Sequence, residues 1–233
     1  MVKKGICHLS QIPLRANPKS SSEMVSQLLF GETYLVIEQR EEWSLIQMEY
    51  DGYEGWLSKS SINFIDSLET NTKEYIQTDL IRHSVSNYTN QPLISSMGSG
   101  FTDEINSDNQ RNILDIAKLF LGVPYLWGGR HFSGIDCSGF VQVIYKCIAI
   151  QLPRDASQQQ KKGKPVAFKD LFEGDLVFFE SNNRVTHVGM FIGDGQIIHS
   201  HGMVRIDKLN KDGIFNSETG EQSHSYHSAK RVR

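Results

Sequence analysis

The order of structural signals along the chain predicts an α+β protein built in two parts. Three observations carry this prediction. Short apolar runs joined by turn residues fill residues 5–65, helical spacing begins only after residue 108, and a strand-rich tail follows residue 163. The 233 residues suit one or two domains of ordinary size.

The first part reads as a small all-β barrel. Leu28–Phe30, then Gly31, then the alternation Tyr34, Val36, Glu38 predict strands about a turn. Trp43, Leu45 and Gln47 alternate with Ser44, Ile46 and Met48, the two-residue period of a strand with one buried face. Asp51-Gly52 is a hairpin signal before Tyr53–Leu57. Several short strands at close spacing fit a small barrel. Residues 66–106 are rich in Ser, Thr and Asn, with Pro92, Gly98 and Gly100. They read as an irregular β extension and linker, or as the remnant of a second small barrel.

The pattern then changes. Ile113, Ile116, Ala117 and Phe120 have helical spacing within Asn112–Leu121, with Asp108 as the expected cap. The loop VPYLWGGRHFSGID leads into Cys137–Ile150, apolar at Phe140, Val141, Ile144, Cys147 and Ile148, a second helix. Strands are expected at Asp175–Phe179, His187–Ile192 and Gln196–Ser200, with Gly193-Asp194-Gly195 as the turn between the last two. The expected boundaries are 1–65, 66–106 and 107–233.

Composition narrows the class of function. The 24 Lys+Arg against 27 Asp+Glu give a net charge of −3, which argues against a nucleic-acid partner or an anionic membrane surface. Aromatic residues make up 10%, too many for a disordered chain. No apolar run approaches the roughly 18 residues of a spanning helix. MVKKGICHLSQI lacks the apolar core and cleavage site of a secretory signal, so a cytoplasmic location is expected. Cys7, Cys137 and Cys147 are widely spaced, which does not suggest a disulfide framework, and no zinc-type spacing occurs. No metal or cofactor is expected.

One thiol stands apart. Cys137 falls at the expected first turn of a helix, where unpaired N–H groups and the helix dipole favour an anion and predict a lowered thiol pKa. Cys147, on the apolar stripe of that helix, and Cys7, among apolar neighbours, read as packing thiols. A thiolate nucleophile needs a base oriented by a third group. The turn at Asp194 brings His187 across from residues 199–201, and His199 and His201 share a face, so spacing leaves either as the orienting residue. Trp43, Trp56, Val177, Phe178 and Phe179 read as core. His8, His83, His131, His224 and His227 show no partner pattern and receive no role, and Lys161-Lys162-Gly163-Lys164 reads as a solvated loop.

Two stretches resemble known families. The opening PLRANP, the GE turn, the Trp43 that follows EQR and the closing GYEGWL resemble a bacterial SH3 (SH3b) domain. GVPYLWGGRHFSGIDCSGFVQ, LPRDASQQ, EGDLVFF and THVGMFIGDGQIIHS resemble the NlpC/P60 domain, papain-like cysteine peptidases of cell-wall peptides. The resemblance implies an α+β, papain-like NlpC/P60 catalytic domain preceded by a small all-β SH3b barrel. It implies Cys137 as nucleophile, His187 as general base and acid, and His199 as the orienting residue because it closes IIHS. Tyr125 is implied at the oxyanion, beside Leu126 where the motif usually has a polar residue. Asp136 and Ser138 match positions that bind the free N-terminal L-Ala of the substrate, although Asp136 is also a natural helix N-cap. Tyr53 and Ser157 are further substrate-binding candidates, and Arg154 with Asp155 is a candidate structural ion pair. The function implied is hydrolysis of the γ-D-Glu–diamino acid bond in murein-derived peptides, L-Ala-γ-D-Glu-diamino acid, during peptide recycling. The alternatives are a secreted wall-cleaving hydrolase, an inactive SH3b peptidoglycan-binding protein, and a papain-like acyltransferase or amidase.

Overall fold

The computed structural model describes residues 3–65, 75–102 and 111–232. The chain divides into two compact units, Met1–Asn109 with Trp127–Phe132, and Gln110–Leu126 with Ser133–Arg233.

The first unit is built on a six-stranded antiparallel sheet: β1 (Lys3–Ile6), β2 (Gln11–Arg15), β3 (Met24–Leu29), β4 (Thr33–Gln39), β5 (Trp43–Met48) and β6 (Glu54–Ser58), in the order β1-β4-β5-β6-β2-β3. The alternation in β5 decides its faces: Ser44, Ile46 and Met48 are buried, while Trp43, Leu45 and Gln47 are half-buried. Trp43 therefore lies on the half-exposed face and not in the core. Ile12, Leu14, Leu28, Tyr34, Ile46, Met48 and Leu57 form the core around Cys7. Burial drives the Cys7 thiol far above its usual pKa, so it is an inert packing group. Strands β7 (Tyr75–Ile76), β8 (Ile81–Val85), β9 (Pro92–Ser96) and β10 (Gly100–Phe101) form two short antiparallel pairs, β8 with β9 and β7 with β10. The Gly100 N–H donates to the Phe30 carbonyl at 2.8 Å and the Phe101 ring lies 5.1 Å from the Phe30 ring, which ties the extension to the barrel.

The segment 127–132 contains β11 (Arg130–His131) and adds a buried ion pair to this unit. Arg130 Nη1 and Nη2 reach the two Glu32 carboxylate oxygens at 2.7 and 2.9 Å. The two side chains are 0% and 2% exposed, so water screens neither charge. Arg130 Nη1 also donates to the Gln27 carbonyl at 2.7 Å, and the Leu29 N–H donates to Glu32 at 2.8 Å.

The second unit begins with α1 (Ile113–Lys118), capped by Asn112, whose Oδ1 accepts from the Leu114 N–H at 3.1 Å. The expected cap, Asp108, lies outside the described residues. Next come β12 (Gly134–Ile135), α2 (Cys137–Cys147) and α3 (Ala156–Gln159), then β13 (Lys164–Val166), β14 (Leu176–Ser181), β15 (Arg184–Phe191), β16 (Gln196–His201), β17 (Met203–Asn210), β18 (Gly213–Phe215) and β19 (Gln222–Arg231). The sheet order is β13-β19-β14-β15-β16-β17-β18, and β18 pairs with β19 as well, so strands β14 to β19 close on themselves. The turn before β16 needs left-handed backbone at three successive residues, Gly193 (φ 91°), Asp194 (φ 49°) and Gly195 (φ 65°), which two glycines and an Asp tolerate.

One sheet face carries Leu176, Phe178, Val188, Met190 and Ile198, all 0% exposed, and α2 packs on β15 and β16. Helix α2 stops three residues short of the expected Ile150. Ala149 takes a left-handed conformation (φ 59°) and the Ile150 N–H returns to the Tyr145 carbonyl at 2.9 Å, a glycine-free version of a common helix stop. Cys147 thus ends the helix and is half-buried, not a mid-helix core thiol.

Replacing Glu32 by alanine leaves the Arg130 charge buried without its partner. The expected cost is about 3–5 kcal/mol of unfolding free energy, measured in urea. A loss under about 1 kcal/mol would show that the pair contributes little.

Candidate active site

Cys137 is the first residue of α2, and Asp136 is its cap. Asp136 Oδ1 accepts the Gly139 N–H at 2.7 Å, which satisfies one of the open donors of the first turn. The same carboxylate takes a two-pronged ion pair from Arg154, with Nη1 3.0 Å from Oδ1 and Nη2 on Oδ2. Arg154 Nη1 also donates to Ser138 Oγ at 2.9 Å, and Gln159 of α3 donates to the Ser138 carbonyl at 3.0 Å. Arg154 thus pairs with Asp136, whose buried carboxylate also caps the helix, while Asp155 is half-buried at the start of α3. The first turn of the helix is thus held from both sides.

The facing strands bring His187 and His199 together. Residue Gly189 of β15 pairs with His199 of β16, and Phe179 of β14 pairs with His187. Thr186 is the extra residue of a bulge in β15, immediately before His187, and such bulges re-aim side chains. A Cβ on Gly189 would stand 2.9 Å from the His199 Cβ and 2.7 Å from Ile197 Cδ1, so only glycine leaves room for His199 there. His187 Nε2 and His199 Nδ1 are 2.8 Å apart, and His199 Nε2 lies 3.0 Å from Asp207 Oδ2. His201 reaches no such bond; its ring centroid is 6.3 Å from that of His187. The geometry therefore selects His199 over His201 as the neighbour of His187.

Asp207 is the member that sequence reasoning missed. Burial alone would raise its pKa, but hydrogen bonds from His199, the Ser217 N–H and Arg205 hold it well below the usual carboxylate range. An ionised Asp207 accepts a hydrogen bond from the His199 Nε2–H, so His199 Nδ1 carries a lone pair. That lone pair accepts from His187 Nε2, which leaves the lone pair of His187 on Nδ1. The signal was present in VRIDKL, where Asp207 and Arg205 share one face of a strand. It had no meaning until β17 was paired with β16, which sets Arg205 opposite His199.

Burial sets the charges. It pushes the Cys137 thiol up to about 12, and the Asp136 carboxylate adds to the shift; the Val188 and Ser138 backbones and Arg154 oppose it. The expected lowering by the helix N-terminus is reversed, because desolvation of a thiol 7% exposed outweighs the terminal N–H groups. Burial, and then the neighbouring imidazoles, hold His187 well below its usual 6.5. Thiol and imidazole each rest uncharged. The hydrogen bond from the Val188 backbone places the Cys137 sulfur beside the residue that follows His187.

Tyr125, Thr186, His187, His201, Gly202 and His224 line a cleft of about 360 Å³. Burial, followed by Cys137 and Asp136, raises the Tyr125 phenol, which stays a neutral donor. His224, given no role from sequence, stacks on His187 with centroids 4.0 Å apart and planes at 21°. Its signal was the alternation of His224, Tyr226 and Ser228 in β19. Ser138 is buried and bound to Arg154 and Asp136. Ser157 is exposed on α3 and is not brought to this cleft. Tyr53 is half-buried against the core of the first unit.

The profile of the NlpC/P60 family matches residues 122–221, and that of the bacterial dipeptidyl-peptidase Sh3 domain matches residues 14–62. A γ-D-glutamyl-L-lysine dipeptidyl-peptidase of Bacillus subtilis is 32% identical over 75% of this chain and 71% of its own. The chain belongs to the NlpC/P60 family. A second γ-D-glutamyl-L-lysine dipeptidyl-peptidase, from Bacillus cereus, is 27% identical over 86% of this chain and 75% of its own. The crystal structure of a Bacillus cereus NlpC/P60 family protein superposes with a TM-score of 0.84 over 98% of this chain and 99% of that one, at 22% identity, a likeness of fold. This NlpC/P60 protein thus carries an SH3-like all-β region ahead of its NlpC/P60 domain, and its relatives are peptidases.

The buried histidines set the acid limit of this fold. His131 and His224 are held down to about 4, and His187 well below 6.5, all chiefly by burial. The unfolded chain, whose histidines titrate near 6.5, then binds more protons than the folded one below that pH. Tm by calorimetry is expected to hold above about pH 7 and to fall steadily from about 6.5 towards 4. A Tm constant down to about pH 4.5 would contradict this.

Proposed function

We propose that this NlpC/P60 protein is a cysteine peptidase that cuts the γ-D-Glu–diamino acid bond of murein peptides carrying a free N-terminal L-Ala. The observation that carries the reading is the relay Asp207–His199–His187, continuous at 3.0 and 2.8 Å, beside a cysteine at a helix N-terminus. A purely structural role leaves unexplained why two imidazoles and a carboxylate are buried in line, since each costs desolvation. The dipeptidyl-peptidase names of its relatives support the choice of bond.

In this reading His187 Nδ1 takes the Cys137 proton as the sulfur attacks the scissile carbonyl. Both groups rest uncharged, so proton transfer accompanies attack and does not precede it. The oxyanion forms at the Cys137 N–H and the Tyr125 hydroxyl. His187 then protonates the leaving amine, and water, deprotonated by His187, cleaves the thioester. His199 and Asp207 fix the tautomer that leaves Nδ1 unprotonated, as the third member of a hydrolase triad does. Asp136 already faces Arg154, so a substrate ammonium meets a paired carboxylate and not a bare one. In this reading Asp136 and Ser138 bind the L-Ala end.

Two expectations follow from this chemistry. Cys137→Ser is expected to abolish release of L-Ala-D-Glu from L-Ala-γ-D-Glu-L-Lys, and N-acetylation of the peptide to lower kcat/KM by roughly tenfold to a hundredfold, the worth of a charge-assisted hydrogen bond. Full turnover by the serine variant would sink the mechanism, and equal cleavage of the acetylated peptide would sink the free-amine specificity. Asp207→Asn is expected to lower kcat by at least about tenfold with little change in KM, because it removes the charge that fixes the relay tautomers; an unchanged kcat would remove Asp207 from the relay.

A further inference from the structure

We infer that the histidine nest at this cleft binds a zinc-type divalent cation, and that the bound ion switches the peptidase off. One ring nitrogen from each of His187, His199 and His224 lies within 4.8 Å of the other two. Among the described residues no other trio of His, Cys, Asp or Glu gathers in this way. His201 adds a fourth imidazole, its centroid 4.8 Å from that of His224. The trio comes from three different strands, β15, β16 and β19, so the closed sheet and not a local sequence motif assembles it.

The arrangement suits imidazole-loving ions. A tetrahedral zinc with bonds of about 2.0–2.1 Å holds its nitrogens roughly 3.4 Å apart, within about an ångström and a half of the spacing present. Side-chain rotation at half-buried His224 supplies that adjustment. His199 carries the outer partner that ligating histidines usually have, since its Nε2 is held by Asp207 at 3.0 Å and its Nδ1 turns toward His187. His224 Nδ1 is engaged by Ser223 Oγ at 2.9 Å, which leaves Nε2 to face an ion. Imidazole sets of this kind favour zinc, copper and nickel over magnesium or calcium, which prefer oxygen.

Binding is dative and transfers no electrons. If His187 ligates through Nε2, its ring proton moves to Nδ1, the atom that receives the Cys137 proton in the reading above. If it ligates through Nδ1, the ion occupies that lone pair directly. Either way His187 ceases to be a base. This inhibitory part rests on the proposed function; the binding part does not.

The test is calorimetric titration of zinc chloride into the chelator-treated full chain carrying Cys137→Ser. One ion per chain is expected. His224→Phe in that background keeps a flat ring against His187 but removes both lone pairs, and is expected to weaken binding at least about tenfold. His224→Gln is a second variant, and melting curves show which of the two folds as the parent does. With Cys137 intact, zinc is expected to stop peptide cleavage and EDTA to restore it, with the inhibition constant moved by the same factor in His224→Phe. Zinc affinity unchanged in both His224 variants overturns the site. So does loss of binding in Cys137→Ser, which would place the ion on a Cys–His pair. Zinc bound at the nest with turnover undiminished overturns the switch. If no peptide is cleaved even without zinc, the proposed function fails while calorimetry still decides the ion site.

Discussion

The buried pair between Asp136 and Arg154 is the constraint on which the catalytic unit depends. A carboxylate 6% exposed caps α2 through the Gly139 N–H and is itself held by a guanidinium 2% exposed. Neither charge is stable there without the other. Together they fix the first turn of α2, which carries Cys137, to the segment that leads into α3. Ser138 and Gln159 complete the clamp. The cap is thus more than a helix-start signal. It sets where the sulfur stands relative to the sheet.

The sheet answers with register. Two bulges, at Thr186 in β15 and at His227 in β19, shift residues on either side of β14. They bring His187 and His224 toward the same place, and Gly189 yields the space that His199 occupies. The consequence is a dense group of imidazoles in which burial opposes protonation. The same burial that raises the Cys137 thiol lowers His187, so the environment favours the neutral form of both. A helix N-terminus alone would have favoured a resting thiolate, and desolvation is the larger effect.

The first unit solves its own buried-charge problem in the same manner. Arg130 and Glu32 meet in a two-pronged pair, with the Gln27 carbonyl and the Leu29 N–H occupying further positions on each. Segment 127–132 lies between the two halves of the second unit in sequence, yet packs with the first. Such a crossing cannot be seen from hydrophobic patterning, because Arg130 and His131 look like surface residues until their partners are placed.

Much of the site was legible without coordinates. A cysteine behind a Gly-containing loop, at the start of an apolar helical stripe, marks Cys137, and the Gly-Asp-Gly turn brings His187 opposite residues 199–201. Alternation in β5 predicted a half-buried strand, and the strands expected at Asp175 and Gln196 begin within a residue of those positions, whereas β15 begins at Arg184, three residues before His187. These features rest on local rules, namely side-chain period, turn preference and helix capping, which neighbouring residues settle among themselves. What stayed hidden depends on pairing between distant segments. Strands β17 and β19 carry many polar residues, and nothing local says which strands they pair with. Asp207, Arg205 and His224 therefore had no visible partners. Local rules also gave the wrong sign for the Cys137 pKa and did not show Asp136 as a partner of Arg154. Sequence determined which residues form helices and turns and placed the thiol at a helix start. Only the tertiary structure decided charge state, partner and relay, because desolvation and ion pairing depend on what surrounds a group in space.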